Sequence, residues 1–312
     1  MSTWYDFVTV DVFTGIPYEG NPLAIVHVPK NSSLTQDQKN KIAKEFSLSE
    51  TVFLHESTDD TEPRRFDIFT ILGEIPWAGH PTIGTICYIS SMERGDEATN
   101  SYFLQAKAGI LEAKFDQDNS FASAKIPANF HVHSKGLSSS AFLESQPRLQ
   151  HLLQGEQPAS YPIASIVNGM NFVLIELATL SQLSQVSCAT KSISFGLDNL
   201  DPGWNRDLLG AYFFVVVAEE NGVTKVRARM IESEIGEDPA TGSAAGDLSC
   251  YLISKEAKAK ENLVRLFEIE QGVEMGRRSV IRVRVQLDNS AGIKQVDLSG
   301  QAVQIQKGQI LA

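Results

Sequence analysis

The sequence predicts an α+β protein made of two related halves with a cleft between them. Its length is the first observation: 312 residues can bury on the order of 75% of the unfolded surface, enough for one large domain or two of about 150. The second is that short alternating runs rich in β-branched and aromatic residues recur along the chain, with few helical patterns among them. The third is a repeated block. Strand "RRFDIFTI", loop "LGEIPWAGHP" and small-residue helix "TIGTICYI" are followed, roughly 160 residues later, by "TKVRARMI", "ESEIGEDPATG" and "SAAGDLSCYLISKE" in the same order.

Taken in order, "WYDFVTVDVF" alternates as a strand, "GIPYEGNP" supplies turn chemistry, and "LAIVHVP" is a second strand, so a hairpin opens the fold. "SLTQDQKNKIAKEF" places Ile42, Ala43 and Phe46 on one face behind a Ser/Thr start, the pattern of an amphipathic helix. Strand "ETVFLHE" and the acidic loop "STDDTEP" follow, then the first copy of the repeated block. Gly84, inside the helix of that block, costs about 1 kcal/mol relative to Ala, which close packing would explain. "SYFLQAKAGILEAKFDQDNSFASAKIP" holds three short strands. From about residue 129 polarity rises, a helix over "SSSAFLESQPRLQHLL" opens the second unit, and the chain continues through "PIASIVNGMNFVLIEL" to the strand "AYFFVVVAE".

Composition removes several classes of function. A net charge of -11 disfavours nucleic acid and anionic membranes, so the expected partner is a small molecule. No apolar run reaches the ~20 residues of a membrane span, and "MSTWYDFVTVDVF" has no basic patch ahead of a short apolar core, so a cytoplasmic protein is expected. The three cysteines, Cys87, Cys188 and Cys250, form no C-x-x-C pair, which argues against a disulfide framework or a structural zinc.

The chemistry sits in the loops. A helix N-terminus exposes unpaired N–H groups and partial positive charge, so two such ends facing one cleft would hold a carboxylate. Around it the sequence can place Glu50, His80 of "AGHPT", and Asp238 with Ser243 of "EDPATGSA". Two carboxylates and an imidazole suffice to move a proton between carbons if their environments pull the pKa values apart, and no cofactor is implied. Each residue has a plainer use: Glu50 as a solvated strand-edge charge, His80 bonded to a neighbouring carbonyl, Asp238 and Ser243 as helix caps. His131 and His133 share a strand face and suit a metal, but no further Cys or His pattern joins them, which favours surface histidines. There is no P-loop and no G-x-G-x-x-G, and Ser243 lies in "GSAAG" rather than the G-x-S-x-G of a hydrolase elbow.

With these residues in view the chain resembles the phenazine-biosynthesis PhzF-like family, whose fold is that of diaminopimelate epimerase. The resemblance runs through "VDVFTGIPYEGNPLAIV", "FSLSETVFL", "AGHPTIG", "EDPATGSAAG" and "QGVEMGRRSVIRVRV". It implies two pseudo-symmetric domains, residues 1–128 and 129–296, each a curved sheet or open barrel around a central helix, with a strand at 297–312 returning to the first. It also implies an active site between the domains and a homodimer. Carried over by position, the proton-shuttling glutamate is Glu50, the loop histidine His80, and the second-loop pair Asp238 and Ser243. Asn21 would contact substrate, and the backbone at Gly79 and Gly242 would hold its carboxylate. Neither loop has a cysteine, so the two-thiol mechanism of the related epimerases is excluded. The reaction expected is a cofactor-independent isomerisation of a small, carboxylate-bearing cyclic metabolite by one Glu acting as base and then acid. The alternative is a non-catalytic metabolite-binding protein that keeps the cleft.

Overall fold

Alternation of β-branched and aromatic residues forms the opening hairpin. Strand β1 (Trp4–Val12) pairs antiparallel with β2 (Asn21–Val28), setting Phe7 opposite Val26 and Val12 opposite Asn21. The computed structural model describes residues 3–57, 62–93, 101–153, 158–188, 199–205, 208–232, 236–256 and 263–312. Positions 58–61 of the acidic loop and 233–235 of "ESEIGEDPATG" lie outside them. Helix α1 (Gln36–Phe46) starts at a capping box between Thr35 and Gln38 and buries Ile42 and Ala43, with Phe46 packed at the margin of the same cluster. Ser47, in the left-handed region at φ 53°, ends the helix, and the chain turns into β3 (Thr51–His55), parallel to β2. Next come β4 (Arg64–Thr70), β5 (Gly73–Ile75), α2 (Gly79–Cys87) with a π-helical turn at Tyr88–Glu93, and the meander β6 (Ser101–Ala106), β7 (Gly109–Asp116) and β8 (Phe121–Lys125).

Strands β9 (His131–Val132) and β10 (Leu137–Ser138) lead to α3 (Ser139–Ser145) and α4 (Pro147–Gln150). One helix was expected over this stretch. Pro147 lacks an N–H and disfavours helical geometry at Gln146, which sits at φ -128°, so the helix breaks in two. Then come β11 (Ser160–Tyr161), β12 (Ile163–Val167), β13 (Met170–Glu176), α5 (Leu180–Ser184), β14 (Leu208–Glu220) and β15 (Val223–Glu232). The short β16 (Gly236–Asp238), α6 (Gly242–Glu256), β17 (Val264–Gln271) and β18 (Ser279–Leu287) follow, and β19 (Ile293–Gly300) and β20 (Ala302–Leu311) end the chain.

The chain divides into two units, Met1–Ile126 with Asp297–Ala312, and Pro127–Val296. In the first, hydrogen bonding runs β20-β1-β2-β3-β4-β6-β7-β8-β19. The sheet packs on α2 through β1, β2, β3, β7, β8 and β20, and every residue of α2 is buried, which is why that helix is apolar or small all round. Gly84 is needed there: an added Cβ would lie 2.7 Å from methyl carbons of both Leu23 and Val12. Helix α1 packs Ile42 and Ala43 into a separate cluster with Tyr5, Val26, Phe53 and Phe69. The second unit has the order β9-β12-β13-β14-β15-β17-β18, with β16 on the far half of the β15 edge that β17 occupies. Helix α6 packs on β12, β13, β17 and β18, while Phe142 of α3, Leu149 of α4 and Leu183 of α5 join Ile163, Val173 and Phe213 in another core. The predicted class, mostly sheet with a few helices, is the one observed.

Candidate functional site

The first unit assembles Glu50, His80, Asn21 and Gly79. Glu50 precedes β3, in the tight turn that follows α1, and His80 occupies the second position of α2. Its Nδ1 lies 3.3 Å from Glu50 Oε2. His80 is 4% exposed and Glu50 17%. Burial pushes the Glu50 carboxyl up to about 7, while a hydrogen bond from Ser49 pulls it the other way. Ser49 Oγ also lies 3.4 Å from Asn21 Oδ1, so its one proton can turn to either the glutamate or the start of β2. Helix α2 begins at Gly79 behind Ala78, which offers no side-chain cap, and Pro81 brings no N–H of its own. The donors at that helix start are therefore backbone groups on either side of His80, a setting suited to a carboxylate.

The second unit assembles Asp238, Gly242 and Ser243. Asp238 ends β16, and α6 starts four residues on, at Gly242. Thr241 Oγ1 donates to Asp238 Oδ2 at 2.6 Å, and all three predicted residues are buried. Two side chains that sequence reasoning missed anchor this loop. Arg229 of β15 is buried and grips Glu237, next to Asp238, through Nε and Nη2 at 2.7 Å each. Its Nη1 donates to the carbonyls of Leu183 and Val186 at 3.0 Å, and Nη2 also reaches Cys188 Sγ at 3.1 Å. Gln271, at the end of β17, bonds both the Asp238 carbonyl and Thr241. The order of residues along β15 and β17 gives no local signal of either role.

Of the histidine pair, His131 is partly exposed, as expected of a surface residue, while His133 is not. His133 is buried, its Nδ1 accepts from the Asp201 N–H at 3.0 Å, and its Nε2 lies 2.9 Å from Ser165 Oγ. His131 Nε2 bonds Asp201 Oδ2 at 2.8 Å and its ring stacks on Trp204. His131, His133 and Asp201 bring one potential ligand atom each to within 4.8 Å of one another, and with both His133 nitrogens bonded to protein partners the cluster ties β9 to the 199–205 segment.

A curved mixed sheet wrapped on a buried helix, with a Glu–His pair in one unit and an Asp–Thr–Gly–Ser loop in the other, defines a class also met among known proteins. Residues 10–308 match the phenazine biosynthesis-like protein family (PhzC-PhzF), and the chain belongs to it. It is 27% identical to an "uncharacterized isomerase" of Clostridium acetobutylicum, over 98% of both chains. It is also 27% identical to a trans-2,3-dihydro-3-hydroxyanthranilate isomerase of Pseudomonas chlororaphis, over 98% of this chain and 99% of that one. The fold matches the crystal structure of a PhzF-family phenazine biosynthesis protein of Bacillus anthracis with a TM-score of 0.74 at 22% identity, covering 99% of this chain and 100% of the other.

Proposed function

We propose that this chain is an isomerase that moves a proton between carbons of a small, carboxylate-bearing cyclic metabolite, without a cofactor. Glu50 takes the proton as a base and returns it as an acid on the same face. One observation carries the reading: burial brings Glu50 to about 7, so at neutral pH the carboxyl is divided between the form that accepts a proton and the form that donates one. His80 Nδ1, 3.3 Å away, orients one Glu50 oxygen and stabilises charge as it develops. In the second unit Asp238 and Ser243 are the substrate-facing pair, and each of the helix starts at Gly79 and Gly242 offers backbone N–H groups suited to a carboxylate. Asn21 contacts substrate. The isomerase names of the full-length relatives agree with this chemistry.

The test is turnover of trans-2,3-dihydro-3-hydroxyanthranilate by Glu50→Gln. The expected result is a fall of at least about 10² in kcat with substrate binding retained. Near-normal turnover by the variant excludes Glu50 as the proton carrier.

A further inference from the structure

The loop that carries Asp238 is held by one amide side chain. Gln271 is fully buried and makes four hydrogen bonds to groups from two other segments. Its Nε2 donates to the Asp238 carbonyl at 2.7 Å and to Thr241 Oγ1 at 3.0 Å. Its Oε1 accepts from the Thr241 N–H at 3.3 Å and from the Tyr212 hydroxyl at 3.0 Å. That uses both donors of the amide and both lone pairs of its oxygen.

This arrangement fixes the direction of every bond. A backbone N–H only donates and a carbonyl only accepts, so the amide has a single orientation. Thr241 Oγ1, accepting from Nε2, places its own proton on Asp238 Oδ2 at 2.6 Å. Asp238 is therefore met by a donor, the partner that suits an ionised carboxylate. The backbone just after Gln271 leaves room for nothing but glycine. Gly272 adopts φ +75°, and a Cβ there would lie 2.7 Å from the Pro239 carbonyl oxygen and 2.4 Å from that of Arg277.

We propose that Gln271, acting through Thr241, is a positioning residue for the reaction, holding the Asp238 carboxyl group in one orientation. The proposal rests on the isomerase reading given above. It is distinct from the clamp of Arg229 on Glu237, which fixes β16 but not the Asp238 carboxylate. Tyr212, fully buried, fixes the amide in turn.

Two readouts test it on the full-length chain. In Gln271→Met, hydrogen exchange at the Thr241 amide should accelerate at least tenfold while β1 and β2 amides are unchanged. In Thr241→Val, which keeps the backbone bonds to Gln271, kcat on trans-2,3-dihydro-3-hydroxyanthranilate should fall at least tenfold with KM within threefold of wild type. Unchanged exchange in the first variant, or unchanged kcat in a folded second variant, overturns the proposal. A wild type inert toward that substrate, with exchange still accelerated in Gln271→Met, supports the anchoring and counts against the isomerase reading for that compound.

Discussion

Replacing Glu50 with Gln should make the protein more stable while making it inactive, and the size of the gain depends on pH in a defined way. In the unfolded chain a glutamate titrates near 4.5, whereas burial raises Glu50 to about 7 in the fold. Below pH 4.5 both states carry the proton, so the residue adds no penalty. Between the two values the unfolded chain releases a proton that the folded one keeps, and stability is lost as pH rises. Above about 7 the loss levels off. At about 1.36 kcal/mol per pH unit the full penalty is up to about 3 kcal/mol, and by pH 6 it is about 2 kcal/mol. Gln keeps a neutral, hydrogen-bonding side chain of the same size and does not titrate. Urea unfolding of wild type and variant, followed by fluorescence of the buried Trp77, should give nearly equal stabilities at pH 4. At pH 8 the variant should lead by up to about 3 kcal/mol. A variant of equal or lower stability at pH 8, or a difference that is flat with pH, would refute the claim that burial tunes this carboxyl.

Two further changes test the physical account of the fold. Asp247 is fully buried in α6, neither carboxylate oxygen has a hydrogen-bond partner among the described residues, and burial holds the group well above its usual range. Burial disfavours the ionised form, so stability is lost as pH rises above 3.8, and Asp247→Asn should stabilise the second unit at pH 7 and by less at pH 5, read by thermal denaturation. Lys39 and Asp67 form an ion pair with side chains only 4% and 5% exposed, so Lys39→Met should destabilise the first unit by about 3 kcal/mol in urea titration, even with His55 and Arg65 still bonded to Asp67.

The two site loops were legible because their chemistry is dense and local. "AGHPT" and "EDPATGSA" each gather within a few residues what a helix start and a reacting group need, and α2 and α6 begin where those loops end. Glu50 was legible as a position. Its basicity was not, because burial is a product of β2, β3 and α2 folding together. Gln271 misled for a different reason: a Gln is normally solvated, and although it lies in phase with the inward Phe267 and Ile269 of "VRLFEIEQ", its partners lie 30 to 59 residues away and no local pattern names them. Asp247 misleads in the same way, since a charged residue in a helix normally marks its solvated face, whereas α6 is buried around most of its first ten residues. Pro147, by contrast, was visible in "SSSAFLESQPRLQHLL", and its effect on Gln146 follows from the ring alone.

The central claim is proton transfer by Glu50, and proton NMR of trans-2,3-dihydro-3-hydroxyanthranilate in D₂O tests it most directly. Wild type should deliver deuterium to the carbon that receives the proton, and Glu50→Gln should deliver none at equal enzyme and time. Deuterium entering at the same rate with both proteins, or with neither while the compound still binds wild type, would contradict the account.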